Sequence, residues 1–315
     1  MSSNQHYSPD REGIQEDQDH QRTSTSLSWY GSRLPPPMCQ TGMVEEIVSS
    51  PGVTALHQLV NKPDKHPTTP AAENLFLSTD GLTPLYAEMT TTVHSLTAKI
   101  LFIANRSRPD LLTFISFMTK RVLHPTIEDA KKLLRAISYL RTTSSQTLRL
   151  GYTGTPAIRT FIDASFATHA DRKSYTGVAA TLGIGVFYTK STTQKINTTS
   201  SCESELVALS KGLQQSIWAQ AFLKEQGFLP PPITVYQDNQ STIKLIERGR
   251  PGSALTRHIQ IGFFWVTDLL TRNIIAITYC PTLHMLADFF TKPLSGSLFD
   301  TQRRQIMGDT PVTLV

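Results

Sequence analysis

The stretch RTFIDASFATHADRKSYTG, residues 159–177, restricts what this chain can fold into more than any other. Ile158, Thr160 and Ile162 alternate with Phe161 and Asp163, the period of two expected of a strand. A strand of this kind carries the Asp163 carboxylate into apolar surroundings. Unless paired or metal-bound, a buried acid costs on the order of several kcal/mol. Three later segments, SSCESELVAL, VYQDNQS and LADFFTKPL, each set an acid at the edge of an apolar element. Together the four stretches point to a carboxylate metal site.

Strand patterns follow at Tyr175–Leu182 and, after Gly183, at Ile184–Thr189. A long helix is expected from about Ser201 to Glu225, with Leu206, Leu209, Leu213 and Ile217 along one face. ITVYQD is a strand entered from Pro230-Pro231-Pro232. Helices are expected from about Asn239–Ser241 and from Thr256 to Leu270, then a strand at 274–280 and a short helix from His284 to Phe290. The order β-β-β-α-β-α-α-β-α predicts an α/β fold, one mixed sheet with helices on both faces. In that order the fourth strand can return beside the first and parallel to it, making Asp163 and Asp238 neighbours.

Upstream, residues 71–150 read as helical. Pro109 suits a helix first turn, and Thr126-x-x-Asp129 is a weak capping box ahead of Leu133, Leu134, Ile137 and Leu140. Residues 1–70 are polar and Pro-rich and read as a disordered or poorly structured tail, with a short helix possible around Val53–Val60. The segment 301–315 reads as a C-terminal tail. Residues 151–300 then form the sheet-containing domain.

Net charge is +5 over 315 residues, weak evidence by itself for a polyanionic partner. The distribution is more informative: Val93–Gly154 holds ten Lys or Arg against Asp110, Glu128 and Asp129. Either a solvated helical face or a nucleic-acid surface accounts for that excess. Cys39, Cys202 and Cys280 lie far apart, which fits neither a disulfide framework nor a structural zinc site. No signal peptide or membrane-spanning run is read, so an intracellular setting is expected.

The candidate ligands are Asp163, Asp238, Asp288 and one of Glu203 and Glu205. Two positions apart on a helix, these glutamates point about 200° away from each other, and the apolar stripe does not choose between them. Clustered carboxylates cannot all ionise without a cation. Hard oxygen donors favour Mg²⁺ or Mn²⁺, and two such ions about 4 Å apart would serve phosphodiester hydrolysis.

FIDASF…DRKSYTG, SSCESELVAL, YQDNQSTIKL, TRHIQI and LADFFTKPL resemble the RNase H domain of copia-type retrotransposon polyproteins, in that order and at similar spacing. ANRSRPDL and AKKLLRAISYLR resemble the thumb or connection piece that precedes it, and HPTTPAAENLF the stretch before that. The resemblance covers roughly residues 66–298. It implies an RNase H-like fold, and it makes Asp163, Glu205, Asp238 and Asp288 both the catalytic and the metal-binding acids. Glu205 is chosen because the family acid precedes a large apolar residue and then an alanine, here Leu206 and Ala208. Ser165, Phe166, Phe264 and Thr267 depart from the family pattern without removing a ligand.

The expected reaction is metal-dependent endonucleolytic hydrolysis of the RNA strand of an RNA–DNA hybrid. Candidate nucleic-acid contacts are Arg106, Arg108, Lys131, Lys132, Arg135, Arg257, His258 and Lys292. His258 reads equally well as a helix-surface residue, and His284 as a bystander one turn from Asp288. The polymerase motif Tyr-x-Asp-Asp is absent: Tyr236-Gln237-Asp238 is followed by Asn239. The chain therefore reads as a C-terminal part of a polyprotein that acts with a polymerase domain, in a cytoplasmic particle or the nucleus. A catalytically inactive, transposon-derived nucleic-acid-binding remnant is the alternative.

Overall fold

The alternation at 158–163 is realised as a central strand. The computed structural model describes residues 38–60, 66–77, 82–166, 173–250 and 257–312. The sheet-forming half opens with β1 (Gly151–Tyr152) and continues through β2 (Arg159–Ser165), β3 (Tyr175–Thr181), β4 (Gly183–Ile184) and β5 (Val186–Thr193). A 25-residue helix crosses to β6 (Ile233–Gln237), and two further helices lead to β7 (Ile275–Tyr279). The five-stranded sheet runs β5-β3-β2-β6-β7. Its first pairs are antiparallel, whereas β2–β6 and β6–β7 are parallel. This is the mixed, RNase H-like arrangement expected from the sequence. β1 and β4 pair separately.

Parallel pairing of β2 with β6 positions everything that follows. Thr160 stands opposite Val235 and Phe161 opposite Tyr236, with the two rings stacked at 4.6 Å. Such an aromatic pair adds about 0.5–1.5 kcal/mol beyond its area. A slip of one residue would turn the apolar set of β2 to the wrong face, so the register is firmly specified.

Nine helices occur among the described residues. α1 (Met38–Val48), α2 (Pro51–Leu59), α3 (Ala87–Ala104), α4 (Leu112–Met118) and α5 (Ile127–Thr142) precede the sheet. α6 (Ser201–Glu225), α7 (Gln240–Glu247), α8 (Arg257–Thr271) and α9 (Gly296–Met307) follow β5. One sheet face carries Ile162, Val178 and Val235 against Leu209 and Leu213 of α6 and Phe263 and Val266 of α8. Gly212 permits this contact, since a Cβ there would meet Val178 and Ile162 side chains at 2.9 and 3.0 Å. The opposite face carries Phe161 and Ala179. They share one core with Leu111, Phe114 and Ile115 upstream, and with Leu286, Phe289 and Phe299 downstream.

Order extends further in both directions than composition suggests. α1 and α2 occupy part of the segment read as a tail, and Val44, Ile47, Val53 and Leu56 are buried in the shared core. The short helix expected near Val53–Val60 is α2. α9 occupies much of the segment read as a C-terminal tail, with Phe299, Ile306 and Met307 buried. In place of the final helix His284–Phe290 stand two 3-10 turns, Thr282–His284 and Leu286–Phe290. The capping box at Thr126 forms in full: its hydroxyl accepts from Asp129 N–H, and the Asp129 carboxylate accepts from Thr126 N–H. No described helix is long and apolar enough to cross a membrane.

Candidate metal centre

The parallel pairing carries β2 and β6 side by side to their C-terminal ends, where Asp163 and Asp238 stand. α6 brings Glu205 over the same end. One carboxylate oxygen from each of Asp163, Glu205 and Asp238 lies within 4.8 Å of the others. Asp163 and Glu205 are buried and Asp238 half-buried. No sequence-local feature connects these residues; the crossover does.

The choice between the two glutamates on α6 now has a physical basis. Ser200 caps the helix by accepting from Glu203 N–H at 3.2 Å, and Glu203 accepts from Thr199 N–H and the Thr199 hydroxyl, both at 2.7 Å. Glu203 is thus used at the helix start. Glu205 turns inward and accepts from the Gln237 amide at 3.1 Å and from the Ala164 backbone.

Gln237 is wholly buried, and its role was not legible in the sequence. Its Oε1 accepts from Asn239 N–H at 3.0 Å, and its backbone carbonyl accepts from Cys280 N–H at 2.9 Å. One side chain therefore ties Glu205 to the turn that carries Asp238. Asn239 caps α7 by accepting from Thr242 N–H. The Thr282 hydroxyl lies 3.4 Å from Asp238 Oδ2.

Asp288 arrives on the 3-10 turn Leu286–Phe290, which rests on β3 at Gly177, the residue paired with Asp163. A Cβ at Gly177 would lie 2.5 Å from the Ala287 carbonyl and 2.7 Å from the Thr291 methyl. The terminal glycine of DRKSYTG is thus what lets this turn sit beside Asp163. Thr291 donates its hydroxyl proton to Asp163 Oδ2. Asp288 stands outside the three-carboxylate group and pairs with Lys292 at 2.8 Å. His284 is exposed in the preceding turn.

Burial, then the charges of Asp163 and Asp238, push the Glu205 carboxyl well above the usual range. Burial, then Asp163, raises Asp238. The same two causes push Asp288 up to about 7, against the opposing pull of Lys292. Lys292 rises in turn, because these carboxylates outweigh its burial. An all-carboxylate donor set under this mutual strain could hold a hard divalent cation.

The candidate nucleic-acid contacts divide. Arg108 is withdrawn: it is 3% exposed, donates to both Asp110 oxygens at 2.9 and 2.7 Å, and reaches the Thr143 carbonyl. A guanidinium committed in this way has no face left for a phosphate. Lys132 donates to the Leu75 carbonyl at 2.9 Å and Arg135 to the Thr69 hydroxyl at 3.1 Å, so both fasten residues 66–77 onto α5. Arg106 is exposed over the Phe102 ring, and exposed Lys131 pairs with Glu128. Among the described side chains of the set, Lys292 alone stands at the acids. Arg257 and His258 open α8, and their side chains lie outside the described residues.

Comparison with known proteins bears on this geometry. No family model matches the chain. Over 207 residues, 65% of this chain, it is 27% identical to the "Retrovirus-related Pol polyprotein from transposon TNT 1-94" of Nicotiana tabacum. Over 195 residues, 61% of the chain, it is 27% identical to that from transposon RE1 of Arabidopsis thaliana. This chain is similar to transposon Pol polyproteins. The matched segment spans only 15% and 13% of those two polyproteins. Among solved structures, the N-terminal RNase H domain of a Mycobacterium tuberculosis protein, fused to maltose binding protein, aligns with 48% of this chain and 98% of that one. Its TM-score is 0.30 at 11% identity.

Proposed function

We propose that this transposon Pol relative is a metal-dependent ribonuclease that hydrolyses the RNA strand of an RNA–DNA hybrid. The observation that carries the reading is the meeting of Asp163, Glu205 and Asp238 within 4.8 Å at the end of a mixed sheet. The resemblance of their motifs to those of the RNase H domain supports it. Asp163, Glu205 and Asp238, with Asp288 nearby, would hold one or two Mg²⁺ or Mn²⁺ ions. Such a cation, when bound, supplies charge neutralisation and polarisation at a phosphodiester and its attacking water.

The protein's own residues do the rest. Gln237 and the Ala164 backbone fix the Glu205 carboxylate, and Thr291 fixes that of Asp163. Hydrolysis puts the water oxygen on phosphorus, breaks one P–O bond and leaves a proton for the departing oxygen. Asp288 stands beside the three acids with its carboxyl held by Lys292 at 2.8 Å, and solvent supplies the proton for the departing oxygen. Recognition of the hybrid would rest on backbone shape and 2′-hydroxyls, with little sequence preference. Arg106, Lys131 and Lys292, with Arg257 and His258, remain the proposed basic contacts, and a polymerase domain is the proposed partner. An intracellular setting, particle or nucleus, belongs to the same reading.

The test is cleavage of an end-labelled RNA–DNA hybrid in Mg²⁺ or Mn²⁺. Cutting confined to the RNA strand, abolished in EDTA and reduced at least about a hundredfold in Asp163→Asn and Asp238→Asn, is expected. Salt-sensitive binding with no cutting in either metal would overturn the enzyme and leave the binding remnant.

A further inference from the structure

The acidic centre holds a cation of its own. The Lys292 ammonium lies 2.8 Å from Asp288 Oδ1, and the charges of Asp163 and Asp238 act on it as well. The two ends of this pair differ: the Asp288 side chain is 5% exposed and that of Lys292 43%. Asp288 is fixed from behind, because Thr291 N–H and Lys292 N–H both donate to its backbone carbonyl, at 3.1 and 2.9 Å. Thr291 also ties the same turn to Asp163 through its hydroxyl. Lys292 reaches Asp288 on a flexible four-carbon stem that stands partly in solvent. The ammonium can therefore swing away by rotation about its own bonds, while the carboxylate stays where it is. A carboxylate buried to this degree does not give up its counter-ion unless another takes over.

Charge balance gives the consequence. Asp163, Glu205, Asp238 and Asp288, once ionised, leave three negative charges beyond the one that Lys292 neutralises. One divalent ion reduces these to a single negative charge, and a second overshoots to a single positive one. Without Lys292, two divalent ions balance the four acids. The side chains are already sorted in this way, since three acids meet within 4.8 Å while Asp288 stands apart on the lysine. We infer that Lys292 is a positioning residue that serves as a tethered counter-ion, holding Asp288 until a second divalent ion displaces it. The lysine thus sets how readily the chain takes that second ion, and leaves the first to Asp163, Glu205 and Asp238. The inference rests on the metal-centre reading of these acids. A lysine kept only for phosphate contact would have no need to lie on a buried carboxylate.

The experiment is a titration of the full chain with Mn²⁺ at pH 8, without nucleic acid, with free Mn²⁺ read by its electron paramagnetic resonance signal. Lys292→Met keeps the aliphatic stem and removes the charge, Lys292→Gln removes the charge but keeps a hydrogen-bonding head, and Lys292→Arg keeps the charge. Melting curves check that each variant folds. The unmodified chain is expected to take one Mn²⁺ well before a second. In Lys292→Met, or in Lys292→Gln should the methionine variant not fold, the second ion should bind about tenfold more tightly or better, and the first should change less. Lys292→Arg should behave as the unmodified chain does. A lysine with a merely structural role would lower the melting midpoint without tightening either ion. Second-ion binding unchanged or weaker in a folded neutral variant, with the first ion still bound, would overturn the tethered counter-ion and leave the metal centre standing. No Mn²⁺ bound by the unmodified chain, and no difference in Asp163→Asn, would overturn the metal centre and this inference with it. Weaker, salt-sensitive binding of an RNA–DNA hybrid in EDTA, with both Mn²⁺ affinities unchanged, would make Lys292 a phosphate contact instead.

Discussion

Asp288 shows how much a single side chain owes to its surroundings. Alone it is an acid in LADFF; beside Asp163 and under burial it titrates near 7, and Glu205 and Asp238 are raised with it. The folded chain therefore holds these protons more tightly than the unfolded chain, whose aspartates titrate near 3.8. The associated stability is complete below that value and is lost as pH rises through about 7. In EDTA, stability should fall between pH 5 and pH 8 by on the order of a few kcal/mol, read as a lower midpoint of thermal unfolding. Added Mg²⁺ should restore it at pH 8 and do little at pH 5; equal midpoints at both pH values in EDTA would contradict the strain. Gln237 is the residue that sequence could not rank. In ITVYQD a polar residue beside the obvious acid reads as a strand end, and only the crossover reveals its amide against Glu205. Gln237→Leu should leave the Glu205 carboxylate one donor short at a cost of about 1–3 kcal/mol. Cleavage should drop further than in Glu203→Gln, whose loss falls on the helix cap; equal rates in the two variants would remove Gln237 from the site.

The elements that position the acids were legible because each has a strong period or a cap. The alternation of β2, the leucine stripe of α6 and the proline-led entry to β6 each announce themselves, and β-β-β-α-β order returns β6 beside β2. The 3-10 turn carrying Asp288 reads as a helix in sequence, since LADFF is apolar but for Asp288 and its true period of three does not stand out over five residues. Its seating on Gly177 is likewise invisible in sequence, because a glycine in a strand signals close approach without naming what approaches. Gly177→Ala tests the seating. The added methyl would press on the Ala287 carbonyl and Thr291, forcing the turn away from Asp163 at about 1–3 kcal/mol. Cleavage should fall by more than melting alone explains, since Asp288 and Thr291 move together. Full activity with an unchanged midpoint would show that the turn is not held by this contact.

Across the whole molecule, the division near residue 150 suggested by the change of period does not divide the core. Phe161 and Ala179 of the sheet share apolar surroundings with Leu111, Phe114 and Ile115, while α9 closes the same core through Phe299 and Ile306. A buried polar network crosses it too. Arg108 and Tyr139 both donate to Asp110, the Tyr139 pair at 2.7 Å, and Tyr139 packs edge-on to Phe299 at 6.2 Å. Counting charges made Arg108 a surface candidate; Asp110, two residues on, takes that charge inside. The polar stretch GSLFDTQRRQIM hid α9 in a similar way, because its buried Phe299 and Ile306 are only two turns apart. A fragment of residues 151–312 would expose the apolar surface of that shared core which Leu111, Phe114 and Ile115 cover. It should therefore lack a sharp unfolding transition and bind a dye that reports exposed apolar surface. Residues 38–312 should instead melt cooperatively and keep the cleavage of the full chain. A short fragment that melts as sharply as the long one would mean that the upstream helices are merely attached, and that the sheet and α6–α9 suffice to hold the four acids.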